Sequence, residues 1–163
     1  MSQVSYPSAV SIVAYLSVAA MSFLSGCEKF ALDRQMEELC RKDGGVKVFE
    51  TVSLPSSMFD NLGDPFPGWP ARSTEDRFGP DYRFVVETFF LKNGDPQKGE
   101  GRLARTSKRI YRRLDGKLLG ESVTYGRSGG DFVAFAHPSS NSCPTYPSAG
   151  ETVIRAVFLK RTE

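Results

Sequence analysis

The sequence predicts an α+β fold: an N-terminal helix packed on an antiparallel sheet of about five strands, with one disulfide. Three observations carry this. A single segment of helical period, Glu28 to Asp43, precedes a series of strand-like segments. Two of those segments flank Asp115-Gly116, a hairpin signal. Of the three cysteines, Cys40 and Cys143 form an even pair once Cys27 is set apart for the reason given below.

Each element has its own local signal. In EKFALDRQMEELCRKD (28–43), Leu32, Met36, Leu39 and Cys40 recur at helical spacing. Acidic residues come early, Arg41 and Lys42 late, and Gly44-Gly45 marks the stop, in the sense that the helix dipole and C-cap prefer. Val46 to Leu54 reads as one strand with Val46, Val48, Val52 and Leu54 on one face, ended by Pro55. Ser56 to Pro80 is a long connection with Pro65, Pro67, Pro70 and Pro80 and almost no periodicity. Asp81 to Lys92 is the next strand, and Arg102 to Leu114 and Lys117 to Arg127 form a hairpin about a two-residue turn. Ser128 to Gly150 is rich in Gly, Ser and Pro, and Glu151 to Lys160 reads as a final strand. Neither a repeat nor a second domain is visible, as 163 residues would suggest.

The charge is unevenly placed. Residues 1–26 hold no Asp, Glu, Lys, Arg or His. Ala9 to Leu24 (AVSIVAYLSVAAMSFL) has the length of a signal h-region and is short for a spanning helix, which takes about 20 residues. It runs into Leu24-Ser25-Gly26-Cys27. These four residues resemble the lipobox of bacterial lipoproteins, where small residues admit the peptidase and the cysteine thiol carries a diacylglycerol. The resemblance implies a signal peptide at 1–26 and a single periplasmic domain at 27–163 that begins with an acylated Cys27. The alternatives are an uncleaved anchor from Val4 to Gly26 and, less favoured, a soluble cytoplasmic protein. In enterobacterial lipoproteins an Asp after the lipidated cysteine favours the inner membrane, so Glu28 points to the outer membrane, facing the periplasm.

An oxidising compartment would join Cys40 to Cys143, closing a loop of about 100 residues that is worth on the order of 4–5 kcal/mol in the chain-entropy model. A buried free Cys40 with an exposed Cys143 is the other possibility. The run Leu39-Cys40-Arg41-Lys42-Asp43-Gly44-Gly45-Val46-Lys47-Val48-Phe49-Glu50-Thr51-Val52 resembles a family of small uncharacterised Gram-negative lipoproteins and secreted proteins. Leu118-Leu119-Gly120-Glu121-Ser122, Gly129-Gly130-Asp131 and His137-Pro138-Ser139-Ser140 with Cys143-Pro144 are similar to the same family. The resemblance spans about Glu37 to Pro144. It implies a shared fold and the cysteine pair, and no activity.

Three groups of residues are candidates for function. The long connection carries Phe59, Phe66, Trp69 and Phe78, which serve either as a partner-binding surface or as a plug for one end of the sheet. Arg102, Arg105, Lys108, Arg109, Arg112 and Arg113 stand in or beside the hairpin against one acid, Asp115. Alternation puts Arg102, Lys108 and Arg112 on one face and Arg105, Arg109 and Arg113 on the other, as a solvated edge or as an anion site for lipid or glycan headgroups. The lone His137, near Asp131 and several serines, is expected to be a hydrogen-bonded loop residue, since no nucleophile elbow accompanies it. Glu50 and Glu87 fall inside apolar strands, where burial would raise their pKa values.

A single histidine excludes sites that need two, and neither a metal nor a cofactor is expected. The net charge of +2 and the lack of a binding motif argue against nucleic acid. The expected role is a lipid-anchored periplasmic interaction module with an envelope protein partner and no catalytic residue. The alternatives are a carrier or sensor of anionic envelope lipid or glycan, and, less favoured, an envelope hydrolase.

Overall fold

The structure, a computed structural model, describes residues 28–131, 137–145 and 149–161. Cys27 and the segment 1–26, expected to be a signal peptide, lie outside the described residues. Helix α1 occupies 28–43 and ends where the Gly44 N–H donates to the Cys40 carbonyl at 2.8 Å and Gly45 takes a φ of +111°. The strands are β1 (Gly45–Val48), β2 (Val52–Leu54), β3 (Tyr82–Asn93), β4 (Arg102–Arg112), β5 (Leu118–Ser128) and β6 (Ser140–Cys143). Helix α2 (Ala149–Val157) and strand β7 (Phe158–Lys160) follow.

The main sheet is antiparallel and five-stranded, as expected, in the order β1-β5-β4-β3. Strand β6 shares the β5 edge with β1, lying end to end with it: Gly45 faces Val123, and Cys143 faces Tyr125. The Cys40–Cys143 disulfide closes that junction, with the two Cα atoms 6.1 Å apart, and ties the end of α1 to the end of β6.

The two helices cover opposite faces of the sheet at opposite ends. Residues opposed across an antiparallel ladder share a face, so Leu103, Arg105 and Ser107 belong with Arg127, Tyr125 and Val123. On this side α1 buries Leu32 and Met36 against Leu103, Val123 and Tyr125. Gly101 permits the close approach, because a Cβ there would run into Leu32. On the other side α2 lays Val153, Ile154 and Val157 against Phe84, Ile110 and Leu119. Gly120 has the same role beneath α2, where a Cβ would come within 2.5 Å of Val157.

Four sequence expectations are corrected. Val46 to Leu54 is not one strand. The Phe49 and Glu50 N–H groups both donate to the Leu119 carbonyl, at 2.8 and 3.0 Å, and the chain leaves the sheet there. Strand β2 then pairs in parallel with β7, Val52 facing Phe158. Glu151 to Lys160 is mainly helix: Val153, Ile154, Val157 and Phe158 follow helical spacing, and tertiary burial of that face overrides the β-propensity of its branched residues. The fifth strand of the sheet is instead β6, in the Gly/Ser/Pro-rich segment. The β4–β5 turn is longer than two residues. Arg112 N–H bonds the Lys117 carbonyl at 2.9 Å around residues 113–116, and Gly116 takes a φ of +69°.

Beneath α1 lies Arg127, whose side chain is 2% exposed. Its guanidinium donates to Asp33 at 2.9 Å, the Gly129 carbonyl at 3.0 Å, and the Ser139 carbonyl and hydroxyl at 2.9 and 2.7 Å. Asp33→Ala would leave this charge buried without its carboxylate, so a loss of about 3–5 kcal/mol is expected in denaturant unfolding. Replacing Cys40 and Cys143 together by Ser should cost on the order of 4–5 kcal/mol in the same measurement, since the bridge spans 103 residues.

Candidate functional site

The long connection folds its aromatics inward. Phe78 is buried, while Phe59 and Phe66 pack against the α2-side core. Phe66 adopts a φ of +60° and places its ring 5.5 to 5.9 Å from those of Phe78, Tyr82 and Phe158. Such a backbone is uncommon outside glycine and costs on the order of 1–3 kcal/mol, which the aromatic cluster offsets. Three of the four candidate aromatics thus serve the core. Trp69 remains, 43% exposed.

Trp69 stands over an open cleft of about 430 Å³ that it forms with Pro70, Arg72, Asp76, Pro80 and Arg113. Its walls are held in place. Arg113 donates to Asp76 at 2.6 Å and to the Tyr82 carbonyl at 3.0 Å. The short 3₁₀ turn Thr74–Asp76 is tied to β3 through Glu75 and Arg83 at 3.1 Å. Sequence reading found Trp69 and Arg113 separately. Their meeting depends on the path of the connection, which has no periodic signal.

Within β4 the basic residues divide by face as alternation predicted, Arg113 lying beyond the strand in the turn, but most are already engaged. Arg105 binds Asp43 at 2.8 Å, and Arg109 bridges Glu87 at 2.6 Å and Glu121 at 2.8 Å. Arg112 joins Glu50 at 2.6 Å and Asp115 at 3.2 Å, and Lys117 reaches Glu50 at 2.5 Å. Arg102 and Lys108 form no ion pair among the described residues. The Arg102 guanidinium lies 5.6 Å from the centre of the Phe90 ring and donates to the Gly94 carbonyl at 3.0 Å. Arg102 also borders a trough of about 500 Å³ lined by Ala104, Gly126, Ser128, Ser140 and Ser142.

The titratable groups follow these contacts. Glu50 was expected to be raised by burial. Instead, hydrogen bonds from Arg112 and Lys117 hold it below its ordinary value, because it sits in the loop between β1 and β2. Burial works against the Asp43 charge, but hydrogen bonds from Tyr125 and Arg105 outweigh it and lower the carboxyl. Burial and the Asp43 hydrogen bond push the Tyr125 hydroxyl up. Asp131 is lowered to about 2 by the Ser139 hydroxyl and backbone N–H, against the effect of burial and with help from Lys29.

The Ser139 hydroxyl is itself occupied: it donates to Asp131 at 2.6 Å and accepts from Arg127 at 2.7 Å. His137 is exposed. Asp131 and Ser139 thus bind the loop to β5 through Arg127 and to α1 through Lys29. Among the described residues, no group of His, Cys, Asp and Glu is placed to hold a metal ion, and no helix is long and apolar enough to cross a membrane. Comparison with protein-family models, curated proteins and solved structures finds no match.

The Asp131 contacts set a pH dependence. Its folded-state pKa of about 2 lies below the ordinary 3.8, so its stabilisation is present above about pH 4 and is lost as the pH falls toward 2. Asp131→Asn should flatten the acid limb of stability against pH. The change should be about 2 kcal/mol at most, given the partial exposure, and denaturant unfolding at pH 5 and pH 2.5 would measure it.

Proposed function

We propose that the protein is a lipid-anchored periplasmic interaction module. It is held to the outer membrane through Cys27, binds an envelope protein and performs no chemistry of its own. The observation that carries this reading is the Trp69–Arg113 cleft. Trp and Arg dominate the energetics of protein interfaces, most of all where a rigid pocket desolvates them. Here Arg113 is fixed by Asp76 and Tyr82 before any partner arrives, which reduces the ordering cost of binding. The cleft also stands at the Arg112 end of β4, about 33 Å along the strand from Arg102. Gly101, just before Arg102, contacts Glu28, the residue after the proposed lipid site. An anchor at one end and a cleft at the other suit a protein that reaches out from the membrane.

A second reading, binding of anionic lipid or glycan headgroups, draws on Arg102 beside its trough, where the guanidinium forms no ion pair among the described residues. The ion-paired Arg105, Arg109 and Arg112 contribute little to it, because an anion would have to displace a carboxylate from each.

Capture from envelope extract on the oxidised domain 28–163 distinguishes the two. A saturable protein partner should be retained by the wild type and reduced at least tenfold by Trp69→Ala or Arg113→Ser, with Arg102→Ser unaffected. Loss on Arg102→Ser alone, with salt-released lipid or glycan as the bound species, would favour the second reading. Mass spectrometry of the full chain from membranes should find a diacylglyceryl mass on Cys27.

A further inference from the structure

We infer that the exposed apolar end of β3, Phe89, Phe90 and Leu91, is a membrane-contacting surface that rests on the bilayer to which the chain is anchored. The inference depends on the reading of Cys27, or of the apolar segment before it, as the membrane attachment.

Position is the first argument. The described chain starts at Glu28, whose carboxylate binds the Lys92 ammonium and accepts from the Gly101 N–H at 3.3 Å. The attachment point therefore lies next to the end of β3, and Lys92 directly follows Leu91. Whatever holds residue 27 in the membrane brings these side chains to its surface.

The form of the patch points the same way. Strand β3 is the edge of the sheet, and the ladder shifts between Phe90 and Lys92, so that Leu91 falls outside the alternation. Phe89 then points to one face, Phe90 to the other, and Leu91 is displaced between them. They are 66%, 45% and 40% exposed. Phe30, in the first turn of α1, is 71% exposed. Long exposed apolar edge strands are normally blunted by unpaired charges. Here Lys92 is neutralised by Glu28, and Lys29 pairs with Asp131 at 3.1 Å. Arg102 lies over the Phe90 ring, where its guanidinium can meet lipid phosphate while the ring enters the acyl boundary.

The chemistry fits a bilayer of either charge. With Lys92 and Lys29 already paired and Arg102 left to meet the phosphate that every phospholipid carries, contact relies on apolar burial, and the tether makes it an intramolecular event at high effective concentration. Little dependence on anionic lipid or salt is expected.

The test uses the full lipidated chain in phosphatidylcholine vesicles whose acyl chains are brominated, with Trp69→Phe combined singly with Phe90→Trp or Leu114→Trp. Leu114 is 92% exposed in the β4–β5 turn, at the far end of the molecule. Emission from Phe90→Trp should be quenched at least twofold by brominated lipid, and emission from Leu114→Trp should be unchanged. Equal, negligible quenching of both in a chain that floats with the vesicles would overturn the surface while leaving the anchor intact. If the quenching is absent and Phe90→Trp is shielded from aqueous iodide in a dimeric chain, a second copy occupies the edge and the inference also fails. A chain that neither floats nor carries lipid mass would overturn both the anchor and the surface.

Discussion

Arg127 organises the sheet face on which α1 lies. A guanidinium that is almost wholly buried is tolerable only if its donors are met. Here they are met by a helix residue, Asp33, by the backbone at Gly129 and by both oxygens of Ser139. Each partner comes from a different part of the chain, and Asp33 is itself held by the Asn141 amide at 3.2 Å. The position of α1, the turn after β5 and the start of β6 are consequently one problem with one solution. The disulfide adds a covalent constraint a few residues away, where α1 ends and β6 ends.

The same logic governs the halves of the sheet left bare by the two helices. Next to α1, the uncovered face carries Arg109 between Glu87 and Glu121, a cross-strand ladder of opposite charges. Next to α2, the uncovered face carries Thr88 and Thr106, whose hydroxyls are 3.1 Å apart, and then the small residues of the trough beside Arg102. A basic hairpin, judged by composition, looks like an anion-binding surface. In the folded protein most of that charge is spent internally, and exposed pairs of this kind add little stability individually.

The sites proposed for function lie at the two ends of the long strands. At the Arg102 end, α1 begins, Glu28 binds Lys92 and apolar side chains are exposed on the edge strand. At the Arg112 end, the proline-rich connection packs three aromatics into or against the core and leaves Trp69 outside beside a fixed arginine. The core accounts for Phe59, Phe66 and Phe78 and gives no reason for the fourth to be exposed, which is why Trp69 carries the functional proposal.

The sequence by itself determined what local interactions govern. It determined α1 from its stripe and glycine stop, the long strands β3, β4 and β5 from their composition and turn residues, and the general class of a helix on an antiparallel sheet. Cysteine counting likewise anticipated the Cys40–Cys143 bridge. Only the tertiary structure decided the rest. Val153, Ile154 and Val157 suit a strand as well as a helix, and helix prevailed because that face meets Phe84, Ile110 and Leu119. Val46 to Leu54 divided because Leu119 captures the backbone of Phe49 and Glu50 and β7 is free to receive β2. Phe78 became core and Trp69 surface, and Arg105 found Asp43, through contacts between residues far apart in the chain. Periodicity reports which face of one segment is apolar. It carries no information on which distant segment will cover that face, and burial, ion pairing and pKa all follow from that choice.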